Sequence, residues 1–163
     1  NIYGLTKHLG EEYCKNVFST ILRINYLAKS PFLNKYSFAD WLFNSLKEME
    51  KITLFDNVIF NPLHISDLCG YIFDLIENPK SGVFNLGSRN YITKSDFGIK
   101  FAKKLNLSTS NITIGKSFES SLIAKRPFDM SLDITKFEKT FDKSLPDIEN
   151  TIIKLSKDFL KID

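Results

Sequence analysis

Tyr3-Gly4-Leu5-Thr6-Lys7-His8-Leu9-Gly10-Glu11-Glu12 is the stretch from which the rest of the chain is read. Tyr3 and Lys7 are four residues apart, so on a helix they share a face one turn apart. An ammonium at that range favours the phenolate form of a phenol, and such a pair can give or take a proton near neutral pH. With six tyrosines and many lysines in the chain, about one Tyr-x-x-x-Lys spacing arises by chance, so the spacing alone is weak. The neighbours add the weight: Gly4 follows the tyrosine, Thr6 precedes the lysine, and Gly10-Glu11 comes three residues after it. Ile2, Leu5, Leu9 and Tyr13 give the same segment an apolar stripe, and the pattern predicts a helix ending near Asn16.

Downstream, strand and helix patterns alternate, which predicts an α/β fold. Ser19 to Tyr26 is short and β-branched and reads as a buried parallel strand. After a loop with Pro31, a helix is predicted from Ser37 to Glu50, with Phe38, Trp41, Leu42, Ser45 and Met49 along its inner side and Trp41 in the core. Ile52 to Phe55 reads as a strand, followed by a turn at Asp56-Asn57. The next helix starts near Ser66-Asp67 and stops before Pro79, and Gly82 to Gly87 is a further apolar strand. Thr93 with Asp96 forms a capping pattern for a helix that turns Phe97, Phe101 and Leu105 inward and Lys100, Lys103 and Lys104 to water. A strand near Ile112 to Ile114 and two helices, Ile134 to Phe141 and Asp147 to Leu160, complete the prediction.

Composition narrows the function classes. At 163 residues and 43% hydrophobic content, the chain can bury a core without disulfides or metals. Its net charge of +3 comes from lysines scattered along helices, with no basic stripe for a nucleic acid. Cys14 and Cys69 fall among apolar helix positions and show no metal spacing with His8 or His64, so both read as reduced core thiols of a cytoplasmic protein. No apolar run reaches the roughly 20 residues of a membrane span.

The opening stretch resembles the catalytic helix of the extended short-chain dehydrogenase/reductases, and the likeness continues in order along the chain. Ile21-Leu22-Arg23 with Asn25-Tyr26 resembles the strand after that helix. Phe38 to Asp56 and Phe60-Asn61-Pro62-Leu63-His64-Ile65-Ser66-Asp67-Leu68 are similar to the crossing segment of the dTDP-4-dehydrorhamnose reductases. Gly82-Val83-Phe84-Asn85-Leu86-Gly87 matches their last core strand, and Arg126-Pro127-Phe128-Asp129-Met130-Ser131-Leu132-Asp133 their Arg-Pro box. Where that family has Trp and then Val-Tyr-Gly after the strand, this chain has Tyr26 and then Leu27-Ala28-Lys29, which leaves the sugar open.

The resemblance implies an α/β protein: the C-terminal part of a Rossmann-like nucleotide-binding domain plus a smaller α/β substrate domain. Residues 1–29 and 63–89 would belong to the first, and residues 30–62 and 90–163 to the second. The seven glycines form neither G-x-G-x-x-G nor G-x-x-G-x-x-G, the turn that cradles a cofactor pyrophosphate. With Asn1 directly before the helix, the expectation is a part of a longer protein, with apolar sheet edges that partners or self-association would cover.

The implied reaction is reduction of a 4-keto group on a nucleotide-linked deoxysugar by NAD or NADP. Tyr3 and Lys7 would be catalytic and touch the cofactor, together with Asn25. Tyr26 and Arg126 would bind the nucleotide sugar, the guanidinium on its phosphates. His64 reads as structural, and Asn85 and Arg89 are weaker candidates at a strand end. Two other classes stay open: a non-catalytic regulatory or binding subunit, and a sugar-nucleotide epimerase or dehydratase. No nucleic-acid or membrane partner is expected.

Overall fold

The structure, a computed structural model, describes residues 2–32, 35–117 and 127–160. In chain order it runs α1 (Ile2–Cys14), β1 (Thr20–Ile24), β2 (Tyr26–Leu27), α2 (Phe38–Lys47), β3 (Ile52–Phe55), β4 (Ile59–Phe60) and β5 (Leu63–His64). It continues through α3 (Ile65–Glu77), β6 (Gly82–Leu86), β7 (Ile92–Thr93), α4 (Lys94–Lys104), β8 (Ile112–Gly115), β9 (Asp129–Met130), α5 (Thr135–Phe141) and α6 (Ile148–Leu160). Three parallel pairs, β1 with β6, β2 with β5 and β3 with β8, stand beside a sheet in which β4 lies between antiparallel β7 and parallel β9. The α/β class expected from the alternating pattern is what the chain adopts.

The strand expected from Ser19 to Tyr26 is two short ones, and Asn25 is where it divides. Its N–H donates to the Leu86 carbonyl at 3.1 Å, continuing the β1–β6 ladder, while its own carbonyl accepts from the Leu63 N–H at 2.8 Å. The backbone thus changes partner from β6 to β5 at one residue. The expected burial does not hold for β1: Thr20, Ile21 and Leu22 are half-buried and Arg23 and Ile24 exposed, because β6 alone flanks it among the described residues.

Two apolar cores form. One gathers Leu42 and Leu46 of α2, Ile52 and Leu54 of β3, Phe60, Phe97 and Phe101 of α4, and Ile152 and Leu155 of α6. The other joins Leu63, Leu68, Leu75, Phe84 and Leu86 to Phe137 of α5 and to Leu145. Phe97 is fully buried and meets Phe60 edge-on at 5.4 Å and Phe101 stacked at 5.9 Å. Each such side chain contributes about 1.5–3 kcal/mol by leaving water. Helix α4 approaches β3 through Gly98, where a Cβ would lie 2.2 Å from Leu54 Cδ1.

Helix α2 begins with a capping box: the Ser37 hydroxyl accepts from the Asp40 N–H and the Asp40 carboxylate accepts from the Ser37 N–H. Its buried residues are Ala39, Asp40, Leu42, Ser45 and Leu46; Leu42 and Ser45 of the expected stripe are among them and Phe38 packs at the core's edge, but Trp41 and Met49 are not. Trp41 is therefore not core; it is 40% exposed, its ring 5.8 Å from Phe38. Met49 lies past the helix end, in the left-handed region at φ 58°. The cysteine reading also needs correction, since Cys69 is exposed on α3 and Cys14 only half-buried. Helix α1 buries no residue at all, and its stripe of Ile2, Leu5, Leu9 and Tyr13 faces outward. Among the described residues no helix is long and apolar enough to cross a membrane.

Candidate active site

Tyr3 and Lys7 share one face of α1, with the Lys7 ammonium 5.5 Å from the centre of the Tyr3 ring. The phenol is 73% exposed, and Lys7 makes no ion pair with a described carboxylate. The Thr6 hydroxyl donates to the Tyr3 carbonyl at 2.9 Å and stays on the helix backbone.

Glu11, two turns beyond Tyr3, fixes the helix on the sheet. The Arg23 guanidinium donates to both its oxygens, at 2.7 and 2.6 Å. That two-pronged hydrogen bond holds the Glu11 carboxyl below its ordinary range against the opposing effect of burial, with the Arg23 charge adding less, and it raises the Arg23 pKa in turn. The connection after α1 returns directly into the start of β1, and the clasp meets β1 near its far end. Residues earlier on α1 therefore lie toward the carboxyl end of β1. Among the described residues, no hydrogen bond, ion pair or ring contact joins Tyr3 or Lys7 to Asn25 or Tyr26. Sequence reading named Glu11 and Arg23 in separate motifs and missed that they pair.

At the carboxyl end of β1 three asparagines converge on one segment. Asn25 donates to the Met130 carbonyl at 3.2 Å and Asn85 to the Asp133 carbonyl at 2.8 Å. Buried Asn61 donates to the Leu132 carbonyl at 3.0 Å and to Ser88 at 2.9 Å, and accepts the Leu132 N–H at 2.9 Å. Together they tie residues 130–133 across the ends of β1, β5 and β6. Tyr26, beside Asn25, is exposed and pairs with Leu63. Arg126 lies outside the described residues.

His64 caps α3, its Nδ1 2.8 Å from the Ser66 hydroxyl and its Nε2 2.8 Å from the Asp158 carboxylate. Both ring nitrogens are engaged within the protein, which is the structural role read for it. Arg89 donates through Nε to Glu138 at 2.9 Å. No group of three or more His, Cys, Asp or Glu suited to a metal occurs among the described residues.

A family model described as the RmlD substrate binding domain matches residues 1–160. The probable low-salt glycan biosynthesis reductase Agl14 of Haloferax volcanii is 24% identical over 161 residues, 96% of this chain and 54% of that protein. Among solved structures, dTDP-4-dehydrorhamnose reductase of Bacillus anthracis str. Ames, in complex with NADP, matches with a TM-score of 0.86 at 21% identity, over 97% of this chain and 56% of that one. A hypothetical dTDP-4-dehydrorhamnose reductase of Sulfolobus tokodaii matches with a TM-score of 0.75 at 26% identity, over 91% and 52%. The chain thus spans about half the length of these relatives. With a family model matching nearly every residue, the chain belongs to the RmlD substrate binding domain family.

Proposed function

We propose that this chain is the C-terminal part of an NAD(P)-dependent reductase that reduces a 4-keto group on a nucleotide-linked deoxysugar. The observation that carries the reading is Tyr3 beside Lys7 on α1, a helix clasped to β1 by Glu11 and Arg23, in a chain of this family. Carboxyl ends of parallel strands are where α/β sheets bind their ligands.

In this account Tyr3 donates its hydroxyl proton to the carbonyl oxygen. Lys7 stabilises the phenolate left behind and hydrogen-bonds the cofactor ribose; an ammonium engaged with no carboxylate is suited to both. A bound nicotinamide supplies the hydride. Asn25 stands beside the cofactor and holds the Met130 backbone, Tyr26 presents its exposed ring to the sugar, and Arg126 binds the diphosphate. Residues 1–29 and 63–89 form the part nearer the cofactor, and residues 30–62 and 90–163 the part nearer the nucleotide sugar.

The test is cofactor oxidation, followed at 340 nm, by the active protein given NADPH or NADH and a dTDP-4-keto-6-deoxysugar. Turnover to the 4-hydroxy sugar supports the reading. Stable binding of the sugar nucleotide with no turnover by either cofactor would favour a binding subunit instead.

A further inference from the structure

His64 holds two elements at once with a side chain that is only 7% exposed. Its Nδ1 accepts the Ser66 N–H at 3.3 Å and lies 2.8 Å from the Ser66 hydroxyl, which caps α3. Its Nε2 lies 2.8 Å from a carboxylate oxygen of Asp158 on α6. These partners fix the place of the ring hydrogen. A backbone N–H can only donate and a carboxylate can only accept, so Nδ1 must be bare and Nε2 must carry the hydrogen. Neutral imidazole in that one tautomer satisfies both bonds.

A further proton has only Nδ1 to go to. Nδ1–H can then donate to the Ser66 hydroxyl oxygen, but it can no longer accept from the backbone, and the first turn of α3 is left with one more unpaired donor. The bond to Asp158 survives and becomes charge-assisted. Three other charged groups surround the ring: Lys154 on α6, bonded to Asp67 on α3, and Lys29 after β2, which donates to the Asp158 carbonyl at 3.3 Å. Lys154 and Asp67 offset each other, which leaves Asp158 as the charge in direct contact with the ring. The β2–β5 ladder pairs Leu27 with His64 and Tyr26 with Leu63, so the cap lies one residue pair from Tyr26.

We propose that His64 is an acid-sensitive cap: neutral, it closes the first turn of α3 and ties it to α6; protonated, it releases the turn and keeps the tie. The inference does not depend on the reductase reading, and its test needs no turnover. In the ¹⁵N-labelled 163-residue protein, a long-range ¹H–¹⁵N correlation at about pH 7.5 should show the His64 hydrogen on Nε2 and none on Nδ1. As the pH is lowered to about 5, solvent exchange of the Ser66 amide, corrected for its intrinsic pH dependence, should quicken about fivefold, the loss of one capping bond. The midpoint should coincide with that of the His64 ring itself, while the amides of α6 near Asp158 keep their protection. His64→Asn, which caps without titrating, should retain the cap and abolish the pH dependence. The measurements on the unaltered protein decide the matter even where that variant fails to fold. Hydrogen on Nδ1 at the higher pH, a Ser66 exchange rate indifferent to the titration of His64, a His64 ring that takes up no proton over this range, or the same quickening in His64→Asn would overturn the proposal.

Discussion

Arg23 on β1 grips Glu11 on α1 through two hydrogen bonds of 2.7 and 2.6 Å, tying the helix that carries Tyr3 and Lys7 to the sheet. Because α1 buries no side chain, the clasp is its principal side-chain attachment to β1. Arg23→Ala should therefore loosen α1 locally while changing global stability by no more than about 1 kcal/mol, the usual worth of an exposed ion pair. Hydrogen exchange should quicken in residues 2–14 and nowhere else. The sign with pH follows from Glu11, whose pKa is lowered from 4.5 in the folded chain. The stabilisation is present in full above the unfolded value and is lost as pH falls through the lowered one. A carboxyl NMR titration should place the Glu11 midpoint higher in Arg23→Ala than in the unaltered protein.

Gly98→Ala tests the approach of α4 to β3. Alanine is the better helix former by about 1 kcal/mol, but its Cβ would meet Leu54 Cδ1 at 2.2 Å, and Leu54 is buried. Overpacking wins, so chemical denaturation should show a net loss of about 1–3 kcal/mol. The double variant Gly98→Ala with Leu54→Val should lose less than the sum of the single variants, because the second change makes room for the added methyl.

Asn61→Asp puts a carboxylate where an amide donates to both Ser88 and Leu132. Two carbonyls would then face a negative charge with no hydrogen between them, and about 2–4 kcal/mol of stability should be lost at neutral pH. Protonation restores a donor, so the deficit measured by urea unfolding should shrink as the pH is lowered.

The Tyr3–Lys7 pairing was legible because it is local: four residues on a helix fix the geometry whatever the rest of the chain does. The strand and helix order was legible for the same reason, each element carrying its own period and cap, as with Thr93 over the Asp96 N–H. The convergence of Asn25, Asn61 and Asn85 on residues 130–133 was not, since those partners are 105, 71 and 48 residues away in sequence. Trp41 was misplaced because the buried arc of its helix is centred on Ala39, Leu42 and Leu46 and leaves position 41 beyond its edge, 40% exposed. Cys69 shows the limit of reading burial from apolar neighbours: Phe73 and Ile76 on its helix are exposed as well.

Arg126→Ala tests the substrate end of the account. Loss of a guanidinium from a diphosphate should raise the sugar-nucleotide KM by the equivalent of about 1.5–3 kcal/mol and leave cofactor affinity alone. An Arg outside the site would change stability by no more than about 0.5 kcal/mol and KM not at all. Steady-state kinetics with each KM measured separately distinguishes the two.

The central claim is that Tyr3 is the proton donor, and its most direct measurement is kcat of the Tyr3→Phe variant in the active protein, with the melting temperature as control. The ring remains and only the hydroxyl is lost, so kcat should fall by about 10² to 10⁴ with the fold intact. An unaltered rate of sugar-nucleotide reduction by Tyr3→Phe would contradict the assignment and remove Tyr3 from the chemistry.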